Sequence, residues 1–252
     1  MSKTFLNHEK ALLTVMLQCE TPEVAIGRIR NANCMGADAY GLQVESLKPE
    51  YRNPDTYKRL FAEMRERPCY VTNYRKKNGE TETDDELAVG LLELAQSGAT
   101  LVDVMGDLFC KHPEELTEDT EAIEKQMKLI QEIHAAGAEV LMSSHILKFT
   151  PAERVLEVAL EQKCRGADII KIVTGAESME QQIENLRITN LLKEKLGAPF
   201  LFLSGGECSL HRRLGMKLGC CMALCVYEHD YLSTSMQPLL STMKTIRDRI
   251  DF

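Results

Sequence analysis

The residues most able to do chemistry in this chain are Lys171 and His145. Lys171 sits in GADIIKIVTG, flanked by Ile169, Ile170, Ile172 and Val173, the signature of a strand buried on both faces of a parallel sheet. An ammonium among aliphatic neighbours is costly without a partner, and the usual escape is loss of the proton. The expectation is therefore a lysine used as a neutral amine, which adds to a ketone or aldehyde and forms a Schiff base. The alternative is a lysine that snorkels or pairs with a buried acid such as Asp103. His145 closes EVLMSSH, one strand earlier. An imidazole beside an iminium can remove and return the proton on the neighbouring carbon.

Such a pair needs a scaffold that lines up strand ends. Eight apolar, β-branched runs recur along the chain: LLTVML, AYGLQV, CYVTNY, LVDVM, EVLMSSH, DIIKIV, FLFLS and CMALCV. Amphipathic segments separate them, several opening on Thr, Pro or acidic residues and closing on glycine, as in Thr21 to Gly36 and Thr83 to Gly98. Alternating strands and helices require parallel pairing through right-handed crossovers. Eight such units without a break predict a (β/α)8 TIM barrel, one domain over residues 1–252. An open doubly wound sheet is the alternative, weakened because no GxGxxG follows the first strand.

In a barrel of this kind, chemistry sits at the C-terminal ends of the strands. That rule brings in Gln43, Glu45, Tyr74, Arg75, Met105 and Asp107. It also brings in LSGGECSLHRRLG after the seventh strand, where Gly205 and Gly206 invite a phosphate cradle. Arg213, expected about two turns into the helix that follows, offers a bidentate carboxylate clamp. Ser233 and Gln237, in the polar loop HDYLSTSMQP after the eighth strand, are placed to close over a bound anion.

The composition sets bounds. The net charge is −8 over 252 residues with scattered basic residues, which argues against nucleic acid as a partner. The first residues lack an apolar signal core and no run has bilayer-spanning length, so the expected location is cytoplasmic, without a membrane partner. The nine cysteines form no CxxC pair and read as reduced core thiols, with no metal site expected.

The sequence resembles the type I 3-dehydroquinate dehydratases. The resemblance rests on Ser143, Ser144 and His145 for the family's S-x-H, on Ala167 to Ile172 for its A-D-I-x-K-I, on Ser204 to Arg213 for its arginine motif, and on Ser233 with Gln237 for its lid. It implies a (β/α)8 barrel, usually a homodimer, needing no metal or organic cofactor, with Lys171 forming the imine and His145 as general acid and base. Arg213, Ser233 and Gln237 would then hold the substrate carboxylate. The first half departs from the family. Its E-x-R-x-D pattern, which contacts substrate hydroxyls, is Gly41, Gln43 and Glu45 here; its T-F-R is Thr72, Asn73, Tyr74, with Arg75 one residue later; and a loop glutamate becomes Asn78. The resemblance thus implies dehydration of 3-dehydroquinate. A Schiff-base enzyme acting on a different carboxylated ketone is the first alternative, and a barrel that has lost catalysis the second.

Overall fold

The structure, a computed structural model, describes residues 3–75, 82–206 and 210–250. Asn78 lies outside the described residues. The elements run β1 (Leu12–Leu17), α1 (Pro22–Met35), β2 (Ala39–Gln43), α2 (Pro54–Glu63), β3 (Cys69–Thr72), α3 (Asp84–Gln96), β4 (Leu101–Met105) and α4 (Thr120–Ala135). They continue with β5 (Glu139–His145), α5 (Ala152–Cys164), β6 (Ile169–Gly175), α6 (Met179–Lys195), β7 (Phe200–Gly205), α7 (Leu210–Leu214), β8 (Met222–Cys225) and α8 (Leu240–Arg249).

All seven strand pairings are parallel, in the order β7-β6-β5-β4-β3-β2-β1-β8. The seam between β7 and β8 is bridged by the Cys221 amide, which donates to Phe200 O at 2.9 Å. The eight strands thus form a nearly closed (β/α)8 barrel, as the sequence periodicity predicts.

The helix boundaries follow from local chemistry. Thr83 and Glu86 form a reciprocal capping box on α3, and Asn53 caps α2 ahead of a proline in its first turn. Gly36, at φ 84°, takes the left-handed conformation that ends α1.

Side chains alternate across each strand. Leu13, Val15, Leu17, Val102 and Val104 share a buried cluster with Ile29, Leu91 and Ile133 of the surrounding helices. Leu12, Met16, Tyr70, Leu101, Leu141 and Ile169 belong to a second cluster that includes Phe5. This alternation decides what Lys171 meets: Ile169 and Val173 share its direction while Ile170 and Ile172 oppose it, so only half of the aliphatic flanks visible in the sequence face the same interior.

Candidate active site

Lys171, 4% exposed, is held by three oxygens. Its Nζ lies 2.8 Å from the Tyr70 hydroxyl, 2.6 Å from the Tyr74 hydroxyl and 3.1 Å from Asp103 Oδ2. Both phenols donate in turn to Asp103 Oδ2, and the Ser143 hydroxyl donates to Oδ1 at 2.6 Å. Three acceptors match the three N–H bonds of an ammonium. The sequence expectation of an amine among aliphatic neighbours is therefore corrected. The partners come from β3, from the loop just after it, and from β4, and Asp103 is the buried acid named as the alternative. Burial first, and then the charge of Asp103, push both phenols well above the usual tyrosine value, so they remain neutral hydroxyls.

His145 stands two residues beyond Ser143, the register partner of Lys171. That places it roughly 6 to 7 Å further toward the C-terminal ends of the strands. Its Nδ1 lies 2.6 Å from Glu115 Oε2, which also accepts the His145 amide at 2.9 Å. With Nδ1–H pointed at a carboxylate, Nε2 is the ring nitrogen left to exchange protons with a ligand. Burial raises the Glu115 carboxyl, but the hydrogen bond and charge of His145 together outweigh it and hold the group below its ordinary value. Glu115 has a positive φ of 46°, an uncommon conformation for a residue with a side chain, and one that recurs at functional sites.

Tyr74 connects the two groups. Its hydroxyl contacts Lys171, and its ring meets the His145 imidazole edge to face with centroids 5.3 Å apart. Tyr74, His145 and Glu115 line a cavity of about 690 Å³ together with Gln43, Glu45, Arg75 and Thr234, a size suited to a small metabolite.

The remaining sequence candidates divide around this cavity. Gln43 lines it, with its Oε1 buried and unpartnered and its Nε2 3.3 Å from Glu45. Glu45 accepts the Thr72 hydroxyl at 2.9 Å, and burial raises its carboxyl to about 7. Arg75 also lines the cavity, but its guanidinium is engaged by both oxygens of Asp84 at 2.7 and 2.6 Å, by Asp107 Oδ1 at 2.7 Å and by Asp107 O at 2.7 Å. It ties the start of α3 to the loop after β4, which leaves a substrate little of its donor capacity.

Arg213, Ser233 and Gln237 are not among the residues lining the cavity. Arg213 is half-buried on α7, which is described from Leu210 onward, so its distance from the start of that helix lies outside the described residues. Its neighbour Arg212 donates to Ser204 O at 2.8 Å, and burial lowers its guanidinium to about 10. Ser233 exchanges hydrogen bonds with Asp230 inside a turn. Gln237 is buried with its Oε1 unpartnered. The loop reaches the cavity through Thr234, whose amide donates to Gln18 Oε1 at 3.0 Å. Gly206, at φ 89°, has a packing reason to be glycine, since a Cβ there would fall 2.2 Å from Ala176 O. Among the described residues, no group of three or more His, Cys, Asp or Glu is disposed to hold a metal.

Sequence reasoning missed Tyr70 and Glu115. Tyr70 shares the inward direction of Thr72, a signal available from strand alternation; Glu115 sits in an irregular loop 30 residues from His145, and no local pattern marks it.

A family model for type I 3-dehydroquinase matches residues 13–249. The chain belongs to the type I 3-dehydroquinase family. The 3-dehydroquinate dehydratase of Klebsiella pneumoniae (strain 342) is 31% identical over 206 residues, covering 79% of this chain and 77% of that protein. Among solved structures, the 3-dehydroquinate dehydratase of Geobacillus kaustophilus HTA426 superposes with a TM-score of 0.81 at 15% identity, covering 98% of this chain and 94% of that one. The type I enzyme of Clostridium difficile gives 0.80 at 15% identity, covering 96% and 92%. Membership in the type I 3-dehydroquinase family places the chain among the hydro-lyases, carbon–oxygen lyases that eliminate water. No helix among the described residues is long and apolar enough to cross a membrane.

Proposed function

We propose that this type I 3-dehydroquinase dehydrates 3-dehydroquinate to 3-dehydroshikimate through an imine on Lys171. The observation that carries the reading is the juxtaposition, within a barrel of this family, of Lys171 on β6 and a glutamate-backed His145 on β5, both in contact with Tyr74.

The steps balance without an external redox partner. As Lys171 loses a proton to Asp103, 3.1 Å away, its lone pair adds to the substrate ketone carbon. The carbonyl oxygen leaves as water after gaining two protons, so an ammonium and a ketone give a protonated imine plus water. That iminium acidifies the adjacent C–H. His145 Nε2 takes this proton, and the electron pair enters the enamine. The enamine expels the hydroxyl on the next carbon as His145 returns the proton to it, forming a second water. Hydrolysis of the conjugated imine frees Lys171. Glu115 keeps the imidazole oriented through its contact with Nδ1. Arg213, Ser233 and Gln237 are proposed to hold the carboxylate, the role that the family resemblance gives them.

A second reading keeps the imine and changes the ketone. It is favoured by Gln43 and Tyr74 at positions where the resemblance expects arginines, and by the engagement of Arg75 with Asp84 and Asp107. Sites built for substrate hydroxyls discriminate by about 10⁴-fold or more, so these changes bear on the substrate before they bear on the chemistry. The deciding experiment follows the absorbance of the conjugated product. A kcat/KM of about 10⁴ M⁻¹s⁻¹ or higher supports 3-dehydroquinate; no detectable turnover leaves the second reading in its place. A cytoplasmic homodimer belongs to the same proposal, resting on the resemblance. The eight described cysteines are all free, which suits a reducing compartment.

A further inference from the structure

The Lys171 nitrogen has all three of its donor positions filled by protein before any substrate arrives. A carbonyl carbon cannot approach it until one of these partners leaves. Asp103 and Tyr70 are fixed within the barrel: Asp103 is 1% exposed, and Tyr70 is fully buried within β3. Neither lines the cavity, whereas Tyr74 does. Tyr74 also lies two residues past the end of β3, outside the strand pairing, with its amide held by the Glu45 carboxylate, so a movement would be of the side chain.

The Tyr70 ring packs into the barrel interior beside Gly41. A Cβ at Gly41 would fall 2.3 Å from Met16 Sδ and 3.1 Å from the Tyr70 ring. Glycine at this β2 position thus leaves room first for Met16 and then for the Tyr70 ring, whose hydroxyl reaches Lys171 and Asp103. Tyr74 occupies the position where the resemblance expects an arginine. Together the two phenols cover the amine.

We propose that Tyr74 is the positioning residue that gates Lys171: its phenol covers the amine from the cavity at rest and swings aside as the substrate carbonyl takes its place. Tyr70 and Asp103 then keep the nitrogen in position, while the edge-to-face contact with His145 couples the movement to the imidazole. The inference rests on the imine reading of Lys171 but concerns access to the amine, and the two fail separately.

The test is substrate-independent labelling of Lys171 with acetaldehyde and cyanoborohydride, mapped by peptide mass in the wild type, Tyr74→Phe and Tyr74→Ala. Lys128, whose side chain is 77% exposed, serves as internal reference. Tyr74→Ala is expected to raise the Lys171 rate relative to Lys128 by at least about tenfold, the rate equivalent of one lost hydrogen bond. Tyr74→Phe, which keeps the cover and loses the hydroxyl, is expected to fall between wild type and Tyr74→Ala. If the alanine variant fails to fold, the increase in the phenylalanine variant alone decides. Equal rates in wild type and variants, or no labelling of Lys171 in any of them, overturn the gate. Failure of 3-dehydroquinate to trap on wild-type Lys171 would instead count against the imine reading, and the labelling ratio would still be readable.

Discussion

Replacing Lys171 with methionine is expected to abolish turnover and, at the same time, to weaken the fold. The nucleophile is removed, so kcat/KM should fall by at least about 10⁴-fold, as it does when a covalent catalyst is deleted. The stability effect follows from Asp103, whose side chain is fully buried beside a lysine side chain that is itself 5% exposed. Removing one partner of a buried pair leaves the other charge uncompensated, at a cost of about 3 to 5 kcal/mol. The hydroxyls of Tyr70, Tyr74 and Ser143 still donate to Asp103, which puts the loss toward the lower end. Urea denaturation at neutral pH measures it. Adding Asp103→Asn to Lys171→Met is expected to recover much of the stability without any activity. A Lys171→Met variant that is more stable than the wild type, with no reaction or ligand binding altered, would favour the barrel that has lost catalysis.

The second large effect is expected at His145. His145→Gln keeps a side-chain amide that can hydrogen-bond Glu115 but carries no proton between substrate atoms. Loss of a general acid–base group typically costs about 10²–10⁴ in rate, and the fall should appear in kcat more than in KM. Imine formation needs only Lys171 and its proton acceptor, so the variant should still trap substrate on treatment with borohydride. Retained trapping with lost turnover separates the two roles. Full turnover in His145→Gln would remove the imidazole from the mechanism.

How much of this was legible in the sequence depends on whether a signal is local. The strands were readable because β-branched runs between glycine-terminated helices have few other structures available to them. The end of β3 was less so. CYVTNY reads as one run, yet the strand stops at Thr72, and Asn73 turns into the wall beside α3, its Nδ2 3.5 Å from Leu87 O. The helix α2 carries an Asn53–Pro54 start signal that the sequence reading passed over.

At the site, His145 and Lys171 were visible through their strand positions. What surrounds Lys171 was not, because Tyr70 and Asp103 lie 101 and 68 residues away in the chain. Flanking aliphatic residues describe a strand's outer face as much as its inner one, and here they say nothing of the three oxygens that Lys171 meets. The engagement of Arg75 was hidden because Asp84 and Asp107 converge on it from the start of α3 and from the loop after β4.

The central claim is that Lys171 forms a covalent imine with the substrate. The direct measurement is borohydride reduction of the wild-type protein in the presence of 3-dehydroquinate, followed by intact mass and peptide mapping. One reduced adduct per chain, located on the peptide containing Lys171 and absent from Lys171→Met, is the predicted result. Turnover of 3-dehydroquinate without an adduct, or an adduct on any other lysine, would contradict it.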